Sequence, residues 1–145
     1  TIIRPSAVYG EADNNNRVVE KFLTKAINNK KITTENGEVS FLDFTFVKDL
    51  VQGIKLSLLS NKSLNESFNL TKGRKRKISE LVNVIKEIYP NVSFEDQVVE
   101  NFRPERGTLS IEKARKLIGY NPKFDLEDGI PVYANYLNKL YNYKI

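Results

Sequence analysis

The sequence predicts an α/β fold, and three observations lead to that prediction. Short apolar stretches with a two-residue period alternate with stretches whose apolar residues recur every three or four positions. The 145 residues are enough for one ordinary domain with its own core. No internal repeat or low-complexity linker divides the chain. Such alternation favours α/β over a helical bundle or a β-sandwich.

The first part of the chain predicts three extended segments and two helices. Residues 13–16 (DNNN) supply an N-cap signal, and Asn36-Gly37 is a turn signal. Residues 41–47 (FLDFTFV) alternate large apolar residues with polar ones, as a strand does. In chain order the predicted elements are a strand near 1–4, a helix over 16–27, a short strand over 32–35, a strand over 41–47 and a helix over 49–59 that carries Leu50, Val51, Ile54 and Leu58 on one face.

The second part of the chain predicts one strand, a short extended segment and three helices. Gly73 stops the strand, Pro90 ends the first of these helices, Gly119 caps the second and Pro122 breaks the chain before the third. The predicted elements are a strand over 66–71, a helix over 78–88, an extended segment over 92–94, an irregular segment over 100–110, and helices over 111–117 and 126–141.

The composition excludes several kinds of chemistry. The chain has no Cys and no His, which rules out disulfides, thiolate zinc sites, thiol nucleophiles and Ser-His or Cys-His pairs. No Asp-x-Asp-x-Asp-Gly loop is present, so no metal site is predicted. No apolar run approaches the ~20 residues that a membrane span needs, so no membrane partner is expected.

The net charge of +5 leaves two interpretations open. The positive residues form a solvated surface spread along the chain, or they attract a polyanion or a phosphorylated ligand. The one dense cluster is residues 72–77 (KGRKRK), between a predicted strand and a predicted helix. No aromatic residue is interleaved with it, so it lacks the stacking platform of a single-strand binder, which disfavours a nucleic-acid partner.

Two signatures of nicotinamide-dependent enzymes are absent from this sequence. The seven glycines stand far apart, so no glycine-rich phosphate loop exists. None of the seven tyrosines is followed four residues later by a lysine. We therefore predict no catalytic residue in this chain.

A series of spaced motifs nevertheless resembles one family. In order, the motifs are RPSAVYG (4–10), NRVVEKFLTKAI (16–27), FLDFTFVKDLVQGI (41–54), FNLTKG (68–73), RPERG (103–107), KARKLIGYNP (113–122) and LEDGI (126–130). Together they resemble the C-terminal part of an extended short-chain dehydrogenase/reductase of the NAD-dependent nucleotide-sugar epimerase/dehydratase family. The resemblance implies that residues 1–145 are the substrate-binding part of a Rossmann-type protein, a few strands with about five helices. The Rossmann nucleotide-binding half, with its glycine loop and Tyr-x-x-x-Lys pair, would lie upstream.

The resemblance also implies a set of site residues. Pro5 and Ser6 are expected beside NAD (or NADP), which the upstream half would mainly bind. The expected contacts to a nucleotide-diphosphate sugar are Ala7, Arg17, Val18, Thr33, Glu35, Arg103 and Arg106. Two positions depart from the family pattern, because Ala7 stands where an Asn is often found and Leu42 where an Arg is common. The ligand would then be held differently, or be a different one.

The residues themselves support parts of this assignment. Pro5, Ser6 and Ala7 follow the carboxyl end of a strand, where α/β sheets bind ligands. Arg17 and Val18 begin a helix, whose N-terminus favours phosphate. Further residues are expected to be structural rather than catalytic: Asp43, Asp49 and Asn69 as caps and strand-end hydrogen bonds, and Phe44, Phe46 and Phe68 as core.

Three functions remain open at the level of sequence. The first is the substrate-binding part of an epimerase/dehydratase that is cytoplasmic and homodimeric in its full-length form. The second is a binding or regulatory module without redox chemistry, which Ala7 and Leu42 favour. The third is a nucleic-acid binder that uses residues 72–77. For the first, we expect chain 1–145 alone to be inactive, not to bind NAD tightly, and to be marginally stable or self-associating through its exposed strands.

Overall fold

A computed structural model describes residues 1–100 and 106–142 of the chain. Strands and helices alternate along these residues, which confirms the predicted α/β class. The helices are α1 (Val18–Ile27), α2 (Val47–Leu59), α3 (Ile78–Ile88), α4 (Glu112–Ile118) and α5 (Leu126–Asn142), and a 3-10 turn (Asn61–Ser63) follows α2. The strands are β1 (Ile2–Arg4), β2 (Val8–Tyr9), β3 (Ile32–Glu35), β4 (Phe41–Leu42), β5 (Thr45–Phe46), β6 (Ser67–Asn69), β7 (Arg76–Lys77) and β8 (Phe94–Gln97).

Within the described residues the strands pair two by two. β1 pairs in parallel with β6, with Ile3 opposite Phe68, and the pairs β2–β5 and β3–β8 are parallel as well. β4 and β7 pair antiparallel. The strands predicted near 1–4 and 66–71 are thus confirmed, and they are neighbours. Their pairing brings the carboxyl ends of β1 and β6 to one edge.

The larger of two cores lies where α1, α3 and α5 pack together against β2 and β5. We call it the three-helix core. Leu23 of α1, Ile85 of α3 and Ile130 of α5 are fully buried in it. Phe44 and Phe46 are buried there too, as predicted. Each such side chain contributes on the order of 2 kcal/mol by leaving water.

A smaller core, the edge core, lies between β6, α2 and α4. Its buried members are Phe68, Leu70, Ile111, Ala114, Ile118 and Tyr120. The Tyr120 hydroxyl donates a hydrogen bond to the carbonyl of Thr71 at 3.0 Å. Gly53 lets α2 approach closely, because a Cβ there would lie 2.8 Å from Leu70 Cδ1 and 2.9 Å from the Tyr120 ring.

The residues that α2 buries completely are small or polar, while Leu50 and Leu56 are half-buried against the edge core. Asp49, Gly53 and Ser57, spaced by one turn each, face inward. Val51 and Leu58 are 58% and 80% exposed. The sequence prediction that the apolar side is the packed face is therefore wrong for these residues. The reason is the close approach of α2 to β6, which only small side chains permit.

The alternation in segment 41–47 predicts one strand, and this prediction is wrong. The segment divides into β4 and β5, which pair with different strands, and α2 begins at Val47 rather than Asp49. Asp43 interrupts the strand because its side chain is 1% exposed and accepts hydrogen bonds from three donors elsewhere in the chain. A buried carboxylate needs such partners.

The N-cap predicted at residues 13–16 is also wrong. Arg17 occupies the cap position of α1 with no side-chain hydrogen bond to the helix. Asn16 has a φ of 51° and donates its backbone N–H to the Glu20 carboxylate at 2.7 Å. A carboxylate in the first turn thus takes the place of the predicted cap.

None of the described helices is both long and apolar enough to cross a membrane.

Candidate functional site

The carboxyl end of β1 opens onto a cleft of about 570 Å³, which we call the first cleft. Pro5, Ser6 and Ala7 continue from β1 into its wall. Ala7 has a φ of 38°, in the left-handed region that L residues seldom adopt. Its carbonyl accepts the N–H of Thr45 at 3.2 Å. The turn after β1 is therefore fixed against β5.

Asp43 fixes the opposite wall of the first cleft. Its carboxylate accepts hydrogen bonds from the Thr108 hydroxyl at 2.7 Å, the Leu109 N–H at 3.2 Å and the Gly73 N–H at 3.1 Å. Thr108 and Leu109 line the cleft together with Arg106. Asp43 therefore holds the 106–109 segment in place, which agrees with its predicted structural role.

Asp49 and Asn69 also hold chain segments together. Asp49 lies in the first turn of α2, and its two carboxylate oxygens accept the N–H groups of Lys123 and Phe124, each at 2.9 Å. The Asn69 amide donates to the carbonyl of Ser110 at 2.9 Å. Both residues are structural, as predicted, although Asp49 clamps a distant turn rather than capping its own helix.

A second cleft of about 950 Å³ lies between α1, β3, β4 and β7. Val18 and Phe22 of α1 face Thr33 and Glu35 of β3 across it. Leu42, Arg106 and Gly107 line both clefts, so the two adjoin. Together they form one continuous site along the ends of β1, β3 and β4.

The turn after β3, which bounds the second cleft, is fixed by Asp96 of β8. Its carboxylate accepts the Thr34 hydroxyl at 2.6 Å and the Gly37 N–H at 2.8 Å. Burial by itself raises the pKa of Asp96, but these hydrogen bonds outweigh it and lower that pKa below its usual value. The carboxylate stays ionised and keeps the turn in place.

The structure brings together the site residues predicted from the sequence, with one exception. Arg103 lies outside the described residues. In the first cleft are Pro5, Ser6, Ala7 and Arg17; in the second are Val18, Thr33 and Glu35; Arg106 is in both. Lining residues that the sequence analysis did not assign to the site include Phe22, Phe41, Lys75 and Thr108. Of these four residues, only Lys75 belongs to a charged feature that the sequence analysis singled out, the basic cluster.

The basic cluster 72–77 is not a continuous exposed strip. The Arg76 side chain is 10% exposed and lies 2.7 Å from Asp125, 2.6 Å from Glu127 and 2.8 Å from Glu80. The hydrogen bond from Arg76 lowers the pKa of Glu127 to about 2. Arg76 thus joins β7 to the start of α5, which weakens the nucleic-acid interpretation. Among the described residues, no group of His, Cys, Asp and Glu is arranged to hold a metal.

Comparison with solved structures defines the class of this fold. The chain superimposes with a TM-score of 0.87 on UDP-glucuronic acid 4-epimerase from Bacillus cereus, solved in complex with UDP-glucuronic acid and NAD, at 22% identity over 97% of this chain and 46% of that one. The TM-score is 0.80 for UDP-glucose 4-epimerase from Thermotoga maritima, solved with UDP-glucose, at 24% identity over 96% of this chain and 46% of that one. The chain therefore shares the fold of a part, slightly less than half, of each of these two epimerases.

Sequence comparison points to a related group of proteins. Residues 1–71, just under half of the chain, match the NAD dependent epimerase/dehydratase family. An uncharacterized UDP-glucose epimerase of Bacillus subtilis is 25% identical over 97% of this chain and 45% of its own length. UDP-glucuronic acid decarboxylase 2 of Arabidopsis thaliana is 31% identical over 80% of this chain and 26% of its own length. The chain thus resembles the C-terminal part of these enzymes and spans less than half the length of either.

Proposed function

We propose that residues 1–145 are the substrate-binding part of an NAD-dependent nucleotide-sugar epimerase/dehydratase whose Rossmann nucleotide-binding half precedes them in the full-length protein. The observation that carries the proposal is the pair of adjoining clefts. They gather every predicted site residue that the structure describes.

The charges of the clefts suit a diphosphate. Arg17 and Arg106 line them, and neither side chain has an ion-pair partner within residues 1–100 and 106–142. The acidic residue beside them in the first cleft, Asp43, is already engaged by three donors. We infer that the two guanidinium groups, which form strong charge-assisted bonds to phosphate, contact the diphosphate of the ligand. Arg103 has the same proposed role.

The two clefts divide the rest of the ligand between them. Val18 and Thr33 in the second cleft would contact the nucleoside, and Glu35 on the same strand would accept a hydrogen bond from it. Ala7 in the first cleft would lie against the sugar. The names of the relatives and the ligands of the solved neighbours, which are UDP-sugars, support a nucleotide-diphosphate sugar as the ligand.

The fit of NAD (or NADP) to this chain is limited to one edge. Pro5 and Ser6 end the parallel pair β1–β6 on the side where α/β sheets bind ligands. When bound, the nicotinamide would accept a hydride from the sugar carbon that bears a hydroxyl group, and the hydroxyl proton would pass to a base in the preceding half. Within this chain, Pro5 and Ser6 would bound the cofactor on one side, and the preceding half would supply its other contacts. Isomerase or lyase chemistry, a cytoplasmic location and a homodimeric full-length protein complete the proposal.

The reading frame upstream of residue 1 tests the catalytic part. We expect a glycine-rich Gly-x-x-Gly-x-x-Gly loop and a Tyr-x-x-x-Lys pair there, and nucleotide-sugar turnover by the full-length protein in the presence of NAD. An upstream sequence without either motif contradicts the catalytic part of the proposal.

A second candidate is a binding or regulatory module without redox chemistry. It is favoured by the apolar side chains Ala7 and Leu42 on the walls of the clefts, at positions where the ligand would otherwise meet polar groups. Retention of NAD by the purified full-length protein separates the two candidates. A module that binds a nucleotide sugar and carries no nicotinamide would support the second.

A further inference from the structure

Four of the five cations in the basic cluster 72–77 form a hydrogen bond or an ion pair with another described residue. Lys72 lies 3.4 Å from the Pro122 carbonyl, Arg74 lies 3.1 Å from Asp125, and Lys77 lies 3.3 Å from Glu38. Arg76 forms ion pairs with Asp125, Glu127 and Glu80. Lys75 makes no ion pair or hydrogen bond through its ammonium with any residue that the structure describes. Within that part of the chain its ammonium therefore joins no other element of the fold through a hydrogen bond or an ion pair.

Lys75 lies on the wall of the second cleft. Its Nζ is 4.6 Å from the centroid of the Phe41 ring, on the face of that ring. Contact with a ring face orients an ammonium but leaves its N–H donors available. Leu42, the residue after Phe41, lines both clefts and offers only apolar contact. Lys75 is thus a positioned cation with unused donors beside the junction of the clefts.

We propose that Lys75 is a ligand-binding residue, whose ammonium contacts a phosphate group of the nucleotide. The inference rests on the proposed function in taking a phosphate-bearing ligand. Arg106 and Lys75 both line the second cleft, while Arg17 lines the first, so phosphate would meet cations from more than one wall. The phosphate would then lie toward Lys75 and Arg106.

Paired titrations with UDP and uridine test this assignment. Both ligands are titrated calorimetrically into the wild-type full-length protein and into its Lys75→Met, Lys75→Arg and Lys77→Met variants. For Lys75→Met we expect the Kd of UDP to rise roughly five- to tenfold, as for loss of one charge-assisted contact at an exposed position. The Kd of uridine should not change, because uridine carries no phosphate.

The other two variants serve as controls. Lys75→Arg keeps the charge and should retain UDP binding within about threefold of wild type. Lys77→Met removes the same charge from the same cluster outside the clefts, and should leave the Kd of UDP within about twofold.

Three outcomes overturn the inference. UDP affinity that Lys75→Met leaves unchanged contradicts the assignment of Lys75 alone. An equal loss of UDP and uridine binding shows that Lys75 shapes the cleft rather than contacting phosphate. A folded wild-type chain that binds neither ligand contradicts the proposed function, and the role of Lys75 with it.

Discussion

The three-helix core and the edge core differ in how well the elements around them are themselves covered. In the three-helix core, Leu23, Ile85 and Ile130 are fully buried among α1, α3, α5 and the strands β2 and β5. The edge core is covered by α2, whose outward face carries Val51 and Leu58, and by the β1–β6 pair. Parallel strands are normally buried on both faces, yet Ile2 of β1 is 58% exposed.

This difference between the two cores indicates which of the two clefts this chain can form without further elements. The second cleft is built on α1, β3 and β4, beside the well-covered core. The first cleft begins at the end of β1, whose Ile3 packs against the edge core, although Ala7 and Leu42 in its wall pack against the three-helix core. We expect the nucleoside end of the site to be formed by this chain alone, and the cofactor end to depend on whatever covers β1 and α2.

The largest effect on stability is expected from replacing Arg76, which joins β7 to α5 beside the three-helix core. Arg76→Ala leaves Asp125 and Glu127 without their buried cation, and loss of one partner of such a network costs about 3 kcal/mol or more. Urea denaturation of the variant and of wild type gives the difference in the free energy of unfolding. Arg74→Ala is the matched control, because Arg74 pairs with the same Asp125 from a side chain that is 63% exposed. Equal losses in the two variants would contradict this account.

A smaller effect is expected from Gly53, which tests the edge side. Gly53→Val forces branched methyl groups against Leu70 and Tyr120, and such overpacking costs about 2 kcal/mol. Amide hydrogen exchange should show faster opening at β6 and α4, with α1 and α5 unchanged. Gly107→Ala is the control, since a Cβ there meets nothing within 4 Å. If protection against amide exchange fell equally in both cores, the two cores would unfold as one cooperative unit, which contradicts their separate behaviour.

A pH titration refines the comparison through Glu127. Its pKa of about 2 lies below the ordinary value of 4.5, so its contribution to stability is fully present above pH 4.5 and is lost as the pH falls toward 2. The side chain is 51% exposed, so the loss should stay below about 1 kcal/mol. The free energy of unfolding, measured from pH 5 to pH 2, should fall less steeply for Glu127→Gln than for wild type. Identical slopes would count against the Arg76 contact.

The smallest effect on stability is expected from the outer face of α2. Val51→Lys and Leu58→Lys together should change the free energy of unfolding by no more than about 0.5 kcal/mol, because both side chains are exposed. The same pair should reduce self-association of chain 1–145, measured by sedimentation velocity over a range of concentrations. Lys55→Glu, also on the exposed surface, provides the charge control. A wild-type chain that stays monomeric would remove the reason to expect self-association.

The sequence was sufficient for what local pattern determines. Apolar periodicity located α1, α3 and α5 closely, and Gly119 ended α4 as expected, with a φ of 70°. Strand β1 was predicted from two isoleucines and a following proline. These features depend on neighbours in the sequence, which is the information that periodicity carries.

Long-range contacts decided the features that sequence did not predict. Alternation in 41–47 indicates one strand. Hydrogen-bond donors at Gly73, Thr108 and Leu109 hold the Asp43 side chain in the interior, and the strand is divided there. The apolar side of α2 faces outward because Gly53 meets Tyr120, a residue far along the chain. In the site, local pattern and resemblance placed Arg17 and Arg106, whereas Lys75 could be told from the other cations of its cluster only once their partners were known.

Asp43 has a consequence for how this site evolves. Two of its three donors are the backbone N–H groups of Gly73 and Leu109, and a change of side chain other than to proline leaves such a group in place. At Gly73 the φ of 74° additionally favours glycine. The segment at Leu109 can therefore exchange side chains across generations while its path stays fixed. Selection should act hardest against proline at the donor positions and against loss of the carboxylate.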